Sequence, residues 1–402
     1  MNNNSGYIKS LDGLRAIAII LVMSFHAEIT HFGWLGVQLF FVLSGFLITG
    51  ILWKEKQNTE STLSFKFKKF WIRRSLRIFP LYFGYLLLIT FTYLLFHFPS
   101  YYSEYASYLF TYTFNYTRSL PGWQGNPLFT HLWSLSVEEQ FYLFFPLIIF
   151  LCPQRFIKTL MVAVIFLSPV TRFLLGEYYT AKGMTEPVVA DIVYWNTLSH
   201  LDAFFMGGLI PVLSLDKKIK KPQRIFTGAL VIAIIAGIIN FANTDSGKYF
   251  FNDLGYNSGQ THLYQHVWHY TVLNFLFASF ILALISYNSN KIFASIRKLL
   301  ETNWMVNVGK VSYGMYLFHW AILEYVCKRI FTTDNLALKV IVFIPYVITV
   351  YLVASLSFRV YESRFLKLKD TLFTKKKTKK ANIQVAQPPA SELPFLKPAS
   401  NE

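Results

Sequence analysis

The stretch that decides the fold is Leu14-Arg-Ala-Ile-Ala-Ile-Ile-Leu-Val-Met-Ser-Phe-His26, an apolar helix that carries two ionisable groups. Eleven steps of roughly 100° make about three turns, so Arg15 and His26 share one helix face and lie about 16 Å apart along the axis. A charged or titratable group in a membrane-spanning helix costs about 2.5–3.5 kcal/mol and normally faces a cavity. We therefore expect both side chains to serve a function.

Composition places the chain among membrane proteins. Hydrophobic residues make up 54% of the 402 residues and charged residues 15%, with a mean hydropathy of +0.38. A soluble domain carries about 25% charged residues. The sequence therefore predicts an all-α integral membrane protein of the cell (inner or plasma) membrane.

Ten apolar runs approach the length that crosses about 30 Å of hydrocarbon, so about ten transmembrane helices are predicted. They are 14–32, 34–53, 79–98, 131–151, 157–176, 197–215, 225–242, 269–288, 309–329 and 338–361. Most of the 38 Lys and Arg residues lie near the termini and in alternate loops, which the positive-inside rule places in the cytoplasm together with both termini. The net charge of +17 reflects this topology, with contact to membrane lipid as a secondary role, so nucleic acid is not an expected partner.

The chain is predicted to divide at residue 368 into a membrane-embedded domain, 1–368, and a cytoplasmic tail, 369–402. The tail contains the polybasic run Lys375-Lys-Lys-Thr-Lys-Lys380, followed by a Pro-rich segment that we expect to be disordered. No metal site is predicted, because the sequence shows no cluster with metal-ligand spacing. Cys152 and Cys327 fall near opposite membrane faces, which argues against a disulfide between them.

Several reactive or small groups lie at similar depth near the middle of the membrane. Glu138 is expected about 10 Å below the outer surface, and His319 about 15 Å from the inner surface. Ser44 and Gly45 lie at a similar level in the second span. Each group also has a structural interpretation: an intramembrane His or Glu can pair between helices, and Ser44-Gly45 is typical of close packing or a helix break rather than of a nucleophile.

The loop after the second span carries Arg74-x-x-Arg77 among other basic and aromatic residues. As a positive-inside segment, it is typical of an amphipathic helix on the membrane surface. Alternatively, Arg74 and Arg77 clamp phosphate groups at the mouth of the third span, because a guanidinium binds phosphate through two hydrogen bonds. Composition leaves both interpretations open.

Five motifs, in order, resemble the acyltransferase-3 family of membrane-bound acyltransferases. They are Arg15-x10-His26, Phe40-Phe-Val-Leu-Ser-Gly-Phe, Arg74-x-x-Arg77, His131-Leu-Trp-Ser-Leu-Ser-Val-Glu-Glu-Gln-Phe-Tyr and Ser312-Tyr-Gly-Met-Tyr-Leu-Phe-His. The similarity covers about residues 5–365. Two positions depart from the family pattern: His200-Leu-Asp202 stands where Arg-x-Asp is frequent, and Glu362-Ser-Arg364 stands where Glu-x-Pro is frequent.

The resemblance implies transfer of an acyl group, usually acetyl, from cytoplasmic acetyl-CoA or another acyl-CoA to a hydroxyl of a glycan or lipid-linked saccharide beyond the membrane. Many members carry an extracytoplasmic esterase-like domain. This sequence is similar to the stand-alone members, which acylate directly or pass the group to a separate extracytoplasmic acyltransferase partner. The alternatives are a transporter or flippase for a polysaccharide intermediate and an assembly partner without chemistry.

This chemistry assigns roles to the candidate residues. Arg15, Arg74 and Arg77 are predicted to hold the anionic end of acyl-CoA while its thioester arm reaches inward. His26 is the predicted base or transient acyl carrier, and Glu138 is predicted to orient it as a carboxylate–imidazole pair. The positions predicted to bind substrate or stabilise the oxyanion are Ser44, Trp133, Gln140, Tyr313 and His319.

Overall fold

The structure of the chain, a computed structural model, describes residues 7–243, 253–286 and 290–373. These residues form helices joined by turns and loops, with no β-strand among them, which confirms the all-α prediction. The predicted polybasic run 375–380 and the segment 381–402 lie outside the described residues. The division at residue 368 stays a prediction.

The helices are numbered in chain order. The first eight are α1 (Lys9–His26), α2 (Leu35–Gln57), α3 (Leu63–Phe96), α4 (Tyr102–Phe110), α5 (Trp133–Leu151), α6 (Gln154–Ala181), α7 (Glu186–Trp195) and α8 (Leu201–Leu213). They are followed by α9 (Leu215–Lys218), α10 (Pro222–Ala242), α11 (Gln265–Ile285), α12 (Lys291–Leu300), α13 (Asn303–Lys310), α14 (Ser312–Ile322), α15 (Lys328–Ile330), α16 (Leu336–Ser357) and α17 (Ser363–Phe373). Two π-helical turns, Leu323–Cys327 and Phe358–Glu362, adjoin α14 and α16.

Seven helices of the described ranges are long and apolar enough to cross a membrane. The predicted spans 14–32, 197–215 and 309–329 coincide instead with the shorter helices α1, α8 and α14. The chain is thus a multi-pass membrane protein. The count of ten spans and the cytoplasmic placement of both termini stay predictions.

Helix α1 ends at His26, so its predicted continuation through residues 27–32 is wrong. The N–H groups of Ala27 and Glu28 donate to Met23 O and Phe25 O, both at 3.0 Å, and close the last turn. Glu28 then adopts a φ of 55°, which a right-handed helix cannot continue. His26 consequently occupies the very end of the helix, next to a loop.

Helices α2 and α8 pack with their backbones in close contact. A Cβ atom on Gly45 would collide with the carbonyl of Phe204, and one on Gly207 would collide with the carbonyl of Val42. Small residues permit this approach between membrane helices. The close-packing interpretation of Gly45 is confirmed, whereas a helix break is wrong because α2 is continuous there.

A buried ion pair joins α6 to α8. Arg172 Nη2 lies 3.0 Å from Asp202 Oδ2, and neither side chain is exposed. Thr271 Oγ1 and Asn274 Nδ2 donate to the same carboxylate at 2.7 and 3.1 Å. Asp202 is therefore paired with an arginine from another helix. In the Arg-x-Asp pattern the arginine stands two residues before the aspartate, where this chain has His200.

Gly45→Ala is expected to destabilise the protein, because the added methyl group forces α2 away from α8. Overpacking of this kind costs about 1–3 kcal/mol. The measurement is the thermal unfolding midpoint of the purified protein in detergent. Gly50→Ala is the matched control on the same helix, since its Cβ would lie 3.8 Å from the nearest atom, Pro211 Cβ. Equal midpoints for the two variants would contradict the packing assignment.

Candidate active site

One cavity gathers most of the residues predicted to form the site. It lies among α1, α2, α3, α5 and α14 and encloses about 860 Å³, its open mouth included. We call it the arginine cavity. The predicted site residues on its wall are Arg15, Ser44, Arg74, Arg77, Glu138 and Tyr313.

Helix periodicity explains why α3 and α5 present these side chains together. Arg74 and Arg77 are three residues apart and therefore share one face of α3. On α5, a spacing of four places Ser134, Glu138 and Tyr142 on one face, and all three line the arginine cavity. The four-residue spacing was readable in the sequence and would have identified Ser134 and Tyr142, which the motif analysis missed.

Glu138 is held by two hydroxyl groups. Ser44 Oγ and Tyr142 OH both donate to Glu138 Oε1, and the two hydroxyl oxygens lie 3.1 Å apart. The guanidinium carbon of Arg74 lies 4.3 Å from the centre of the Tyr142 ring. The expected pairing of Glu138 with His26 is therefore not found; the described partners of this carboxylate come from α2 and from its own helix.

Two of the arginines lie where the arginine cavity meets a second cleft. Arg15 forms an ion pair with Asp12 one turn earlier on α1, and Tyr7 OH also donates to Asp12. Arg15 and Arg77 line a second, adjoining cleft as well, where Lys310 adds a further positive charge. Lys310 was not among the predicted site residues. It lies just before the Ser312 motif, at the end of α13, and comes to this cleft through the turn between α13 and α14.

A second group of side chains, the histidine cluster, comprises His26, His131 and His319. The ring centre of His319 lies 5.1 Å from that of His26 and 5.1 Å from that of His131. Trp320 covers His26 at a centroid distance of 4.0 Å. His131 and His319 are buried, whereas His26 is partly exposed. His131 opens the motif on α5 but was not predicted as a site residue, because its depth gave no indication of which helix it faces.

Tyr316 separates the arginine cavity from the histidine cluster. Its ring lines the cavity on one side and lies 5.4 Å from the His319 ring on the other. Its hydroxyl donates to His131 O at 2.9 Å and lies 2.5 Å from Ser134 Oγ. Tyr316 and Ser134 thus form a partition between the arginine cavity and the histidine cluster.

Trp133 and Gln140 do not line the arginine cavity, in contrast to their predicted role. Trp133 is stacked on Trp195 with ring centres 5.6 Å apart. Gln140 Nε2 donates to Tyr112 O at 2.7 Å and to Asn115 Oδ1 at 2.9 Å. Trp133 thus packs against the end of α7, and Gln140 holds the segment that follows α4. A spacing of seven residues puts both side chains on the face of α5 opposite to Glu138.

The two remaining candidates, Tyr313 and His319, differ in whether a polar atom is left without a hydrogen-bond partner. Tyr313 OH donates to Ile78 O at 3.2 Å, so this hydroxyl proton is already used to tie α14 to α3. His319 Nδ1 lies 2.6 Å from Tyr316 O, whereas its Nε2 is buried and has no hydrogen-bond partner in the described part of the chain. Because Nδ1 donates to that carbonyl, Nε2 of the neutral ring carries the lone pair, so His319 is the better candidate to accept a hydrogen bond from a bound group.

Comparison with known proteins reveals relatives over almost the whole chain. The family model described as "Acyltransferase domain" matches residues 8–359. The O-acetyltransferase OatA of Staphylococcus aureus strain NCTC 8325 is 28% identical over 376 residues, which is 89% of this chain and 57% of that protein. OatA of strains MRSA252 and N315 matches with the same identity and coverage. This chain thus spans little more than half the length of these relatives, and no solved structure matches it.

Gln140→Ala is expected to lower stability rather than to remove a substrate contact, because it leaves Tyr112 O and Asn115 Oδ1 without their donor. A buried polar group that loses its partner costs about 1–3 kcal/mol. The thermal midpoint in detergent measures this loss. The control is Gln124→Ala, which changes an exposed glutamine in the same region. An unchanged midpoint for Gln140→Ala would show that its hydrogen bonds are not structural.

Proposed function

The chain belongs to the acyltransferase-3 family, whose model matches residues 8–359, and we propose that it is an O-acyltransferase of the cell membrane. It transfers an acyl group, acetyl in the first instance, from cytoplasmic acyl-CoA to a hydroxyl of a cell-surface glycan or lipid-linked saccharide. The observation that carries this proposal is the cavity that surrounds Arg15, Arg74 and Arg77 at one end of α1, while His26 terminates the same helix at the other end. The O-acetyltransferase names of the relatives support the reaction class.

The donor is proposed to bind through its phosphates. Guanidinium groups bind phosphate through paired hydrogen bonds, and Arg15, Arg77 and Lys310 line the adjoining cleft through which an anionic group would enter. Asp12 orients Arg15 and lowers the net charge of this entrance. The thioester arm then extends along the arginine cavity towards Tyr316.

The transfer step is proposed to use His26 as general base. The acceptor oxygen attacks the thioester carbonyl carbon, the new C–O bond forms, and the C–S bond breaks. The hydroxyl proton passes to a His26 ring nitrogen and from there to the leaving thiolate sulfur, which restores the neutral imidazole. His319 is proposed to bind the acceptor rather than to stabilise the oxyanion. Its Nδ1 donates to Tyr316 O, so the neutral ring presents Nε2, which has no described partner, as a hydrogen-bond acceptor for a substrate hydroxyl group beside His26.

Glu138 is proposed to act on the donor side of the cavity. It fixes the hydroxyl groups of Ser44 and Tyr142, and Tyr142 in turn supports the Arg74 guanidinium. Its proposed role is therefore to position the Tyr142 and Arg74 side chains of the arginine cavity rather than to orient His26. Family membership favours the enzyme over a transporter or flippase, and no comparison supports transport. A separate extracytoplasmic acyltransferase that receives the acyl group is compatible with this proposal.

His26→Ala is expected to reduce acyl transfer by about 10²–10⁴-fold, because the attacking hydroxyl loses its base. The assay follows label from radioactive acetyl-CoA into the glycan fraction of membranes that contain the full chain. His97→Asn is the control, since His97 is exposed and its positive φ of 50° suits asparagine. Full transfer by His26→Ala would remove His26 from the chemistry while leaving the reaction class intact.

Arg77→Gln is expected to raise the KM for acyl-CoA about tenfold or more and to change kcat less, because it removes a phosphate contact and leaves the acyl-transfer groups in place. Initial rates at varied acyl-CoA give both constants. Arg224→Gln is the matched control, an exposed arginine at the start of α10 that does not line the arginine cavity. A lower kcat at unchanged KM would contradict a role in donor binding.

A further inference from the structure

A cleft separate from the arginine cavity opens beside the histidine cluster. It encloses about 800 Å³, its open mouth included. Its walls come from the loop after α1, the π-helical turn after α14, the loop before α16 and the first half of α16. We call it the Lys339 cleft. Its charged lining residues are Glu28, Lys328, Asp334 and Lys339, and its aromatic lining residues are Phe331, Phe343 and Tyr346.

This cleft begins directly after His26 along the chain. Ala27 and Glu28, the next two residues of the chain, form part of its wall. On the opposite wall, Tyr346 OH donates to His319 O at 3.0 Å, and the His319 ring lies 5.1 Å from that of His26. His26 is partly exposed, whereas His319 is buried, so His26 is the more accessible of these two rings to a bound molecule.

The helix that carries His319 is locally widened where it forms the cleft. Immediately after α14 the chain makes a π-helical turn over Leu323–Cys327, and both end residues of that turn line the cleft. π-Helical turns are rare, and they occur frequently at functional sites. The widened turn also brings Lys328, the next residue, onto the same wall.

The charges that line the cleft balance one another. Two carboxylates and two lysines face it, and Lys339 Nζ lies 2.9 Å from Glu28 Oε2. A balanced set of charges favours neither an anion nor a cation, whereas the arginine cavity has three arginines against two glutamates. Carboxylates accept hydrogen bonds from sugar hydroxyl groups and ammonium groups donate to them. The exposed ring of Phe331 offers an apolar face on which a sugar can stack.

From these contacts we infer that the Lys339 cleft binds the acceptor of the acyl group, and that this acceptor is a neutral saccharide. The inference rests on the proposed function, because it places the acceptor hydroxyl on the side of His26 opposite to the donor. Glu28 and Lys339 hold two hydroxyl groups of the sugar, and a third hydroxyl reaches His26.

Two free cysteines provide a test that does not depend on activity. Cys327 lines the Lys339 cleft, whereas Cys152 follows α5 and does not line it. The purified full chain is alkylated with N-ethylmaleimide, with and without maltotetraose, cellotetraose or chitotetraose, each tested singly, and the modified peptides are counted by mass spectrometry. We expect at least one saccharide to slow alkylation of Cys327 about tenfold and to leave Cys152 unchanged. No protection by any of the three overturns the inference.

Kinetics of the same chain separate this inference from the proposed function. Lys339→Met and Glu28→Gln are expected to raise the KM for the protecting saccharide about tenfold or more, with the KM for acetyl-CoA unchanged. Lys182→Met is the control, because Lys182 is exposed and lies outside the cleft. Transfer with an unchanged saccharide KM in both cleft variants overturns the acceptor site alone. Protection of Cys327 without transfer by the wild-type chain overturns the proposed function and leaves a saccharide-binding cleft.

Discussion

The cost of holding ionisable side chains inside a hydrocarbon layer is the constraint on which the rest of this structure depends. The chain meets it in two ways. Arg172 is enclosed completely and paired with Asp202, with polar partners from α11, so it fixes helices and leaves nothing for a ligand. Arg15 and Arg77 instead face a cavity with an open mouth. The first arrangement is a fully buried structural ion pair. The second leaves positive charge in a cavity, where a bound anion can neutralise it.

Helix α1 connects the two halves of the candidate site. Its first turns carry Arg15, and its last residue is His26, about 16 Å further along the axis by helix geometry. Between these ends stands the partition formed by Tyr316 and Ser134. The Tyr316 hydroxyl bonds to one backbone carbonyl, His131 O, at 2.9 Å, and a hydrogen bond of that kind contributes only about 0.5–1.5 kcal/mol net. The hydroxyl also lies 2.5 Å from Ser134 Oγ and the ring is buried, so an acyl arm that passes from the arginine cavity to His26 must displace the Tyr316 side chain.

Sequence periodicity predicted which side chains share one face of a helix, but it did not predict contacts between helices. The shared face of Arg15 and His26, the Arg74–Arg77 pair and the close packing at Gly45 follow from spacing and residue size. The partner of Glu138 could not be predicted, because depth in the membrane does not determine which helices are neighbours. In the structure this carboxylate accepts a hydrogen bond from Ser44 and does not pair with His26.

Two further outcomes illustrate the same limit. Trp133 and Gln140 were grouped with Glu138 because they share its motif, although seven-residue spacing already puts them on another face of α5. His131 was missed for the opposite reason, since only the position of α14 brings His319 to within 5.1 Å of its ring. Residue spacing can therefore separate the faces of one helix, but it cannot identify the helix that each face meets.

The asymmetry of charge between the two ends of α1 gives the proposed reaction a physical direction. The proposed phosphate-bearing donor would be stabilised in the cleft that Arg15, Arg77 and Lys310 line, and it would lose those contacts on moving towards the histidine cluster. Transfer of a charged group through the low-dielectric middle costs several kcal/mol even after relaxation. The thioester arm and its acetyl group carry no charge, so they pass the middle at low cost. In the proposed reaction the basic end thus retains the nucleotide, while the uncharged arm presents the acetyl thioester to His26 and to a charge-balanced cleft beyond it.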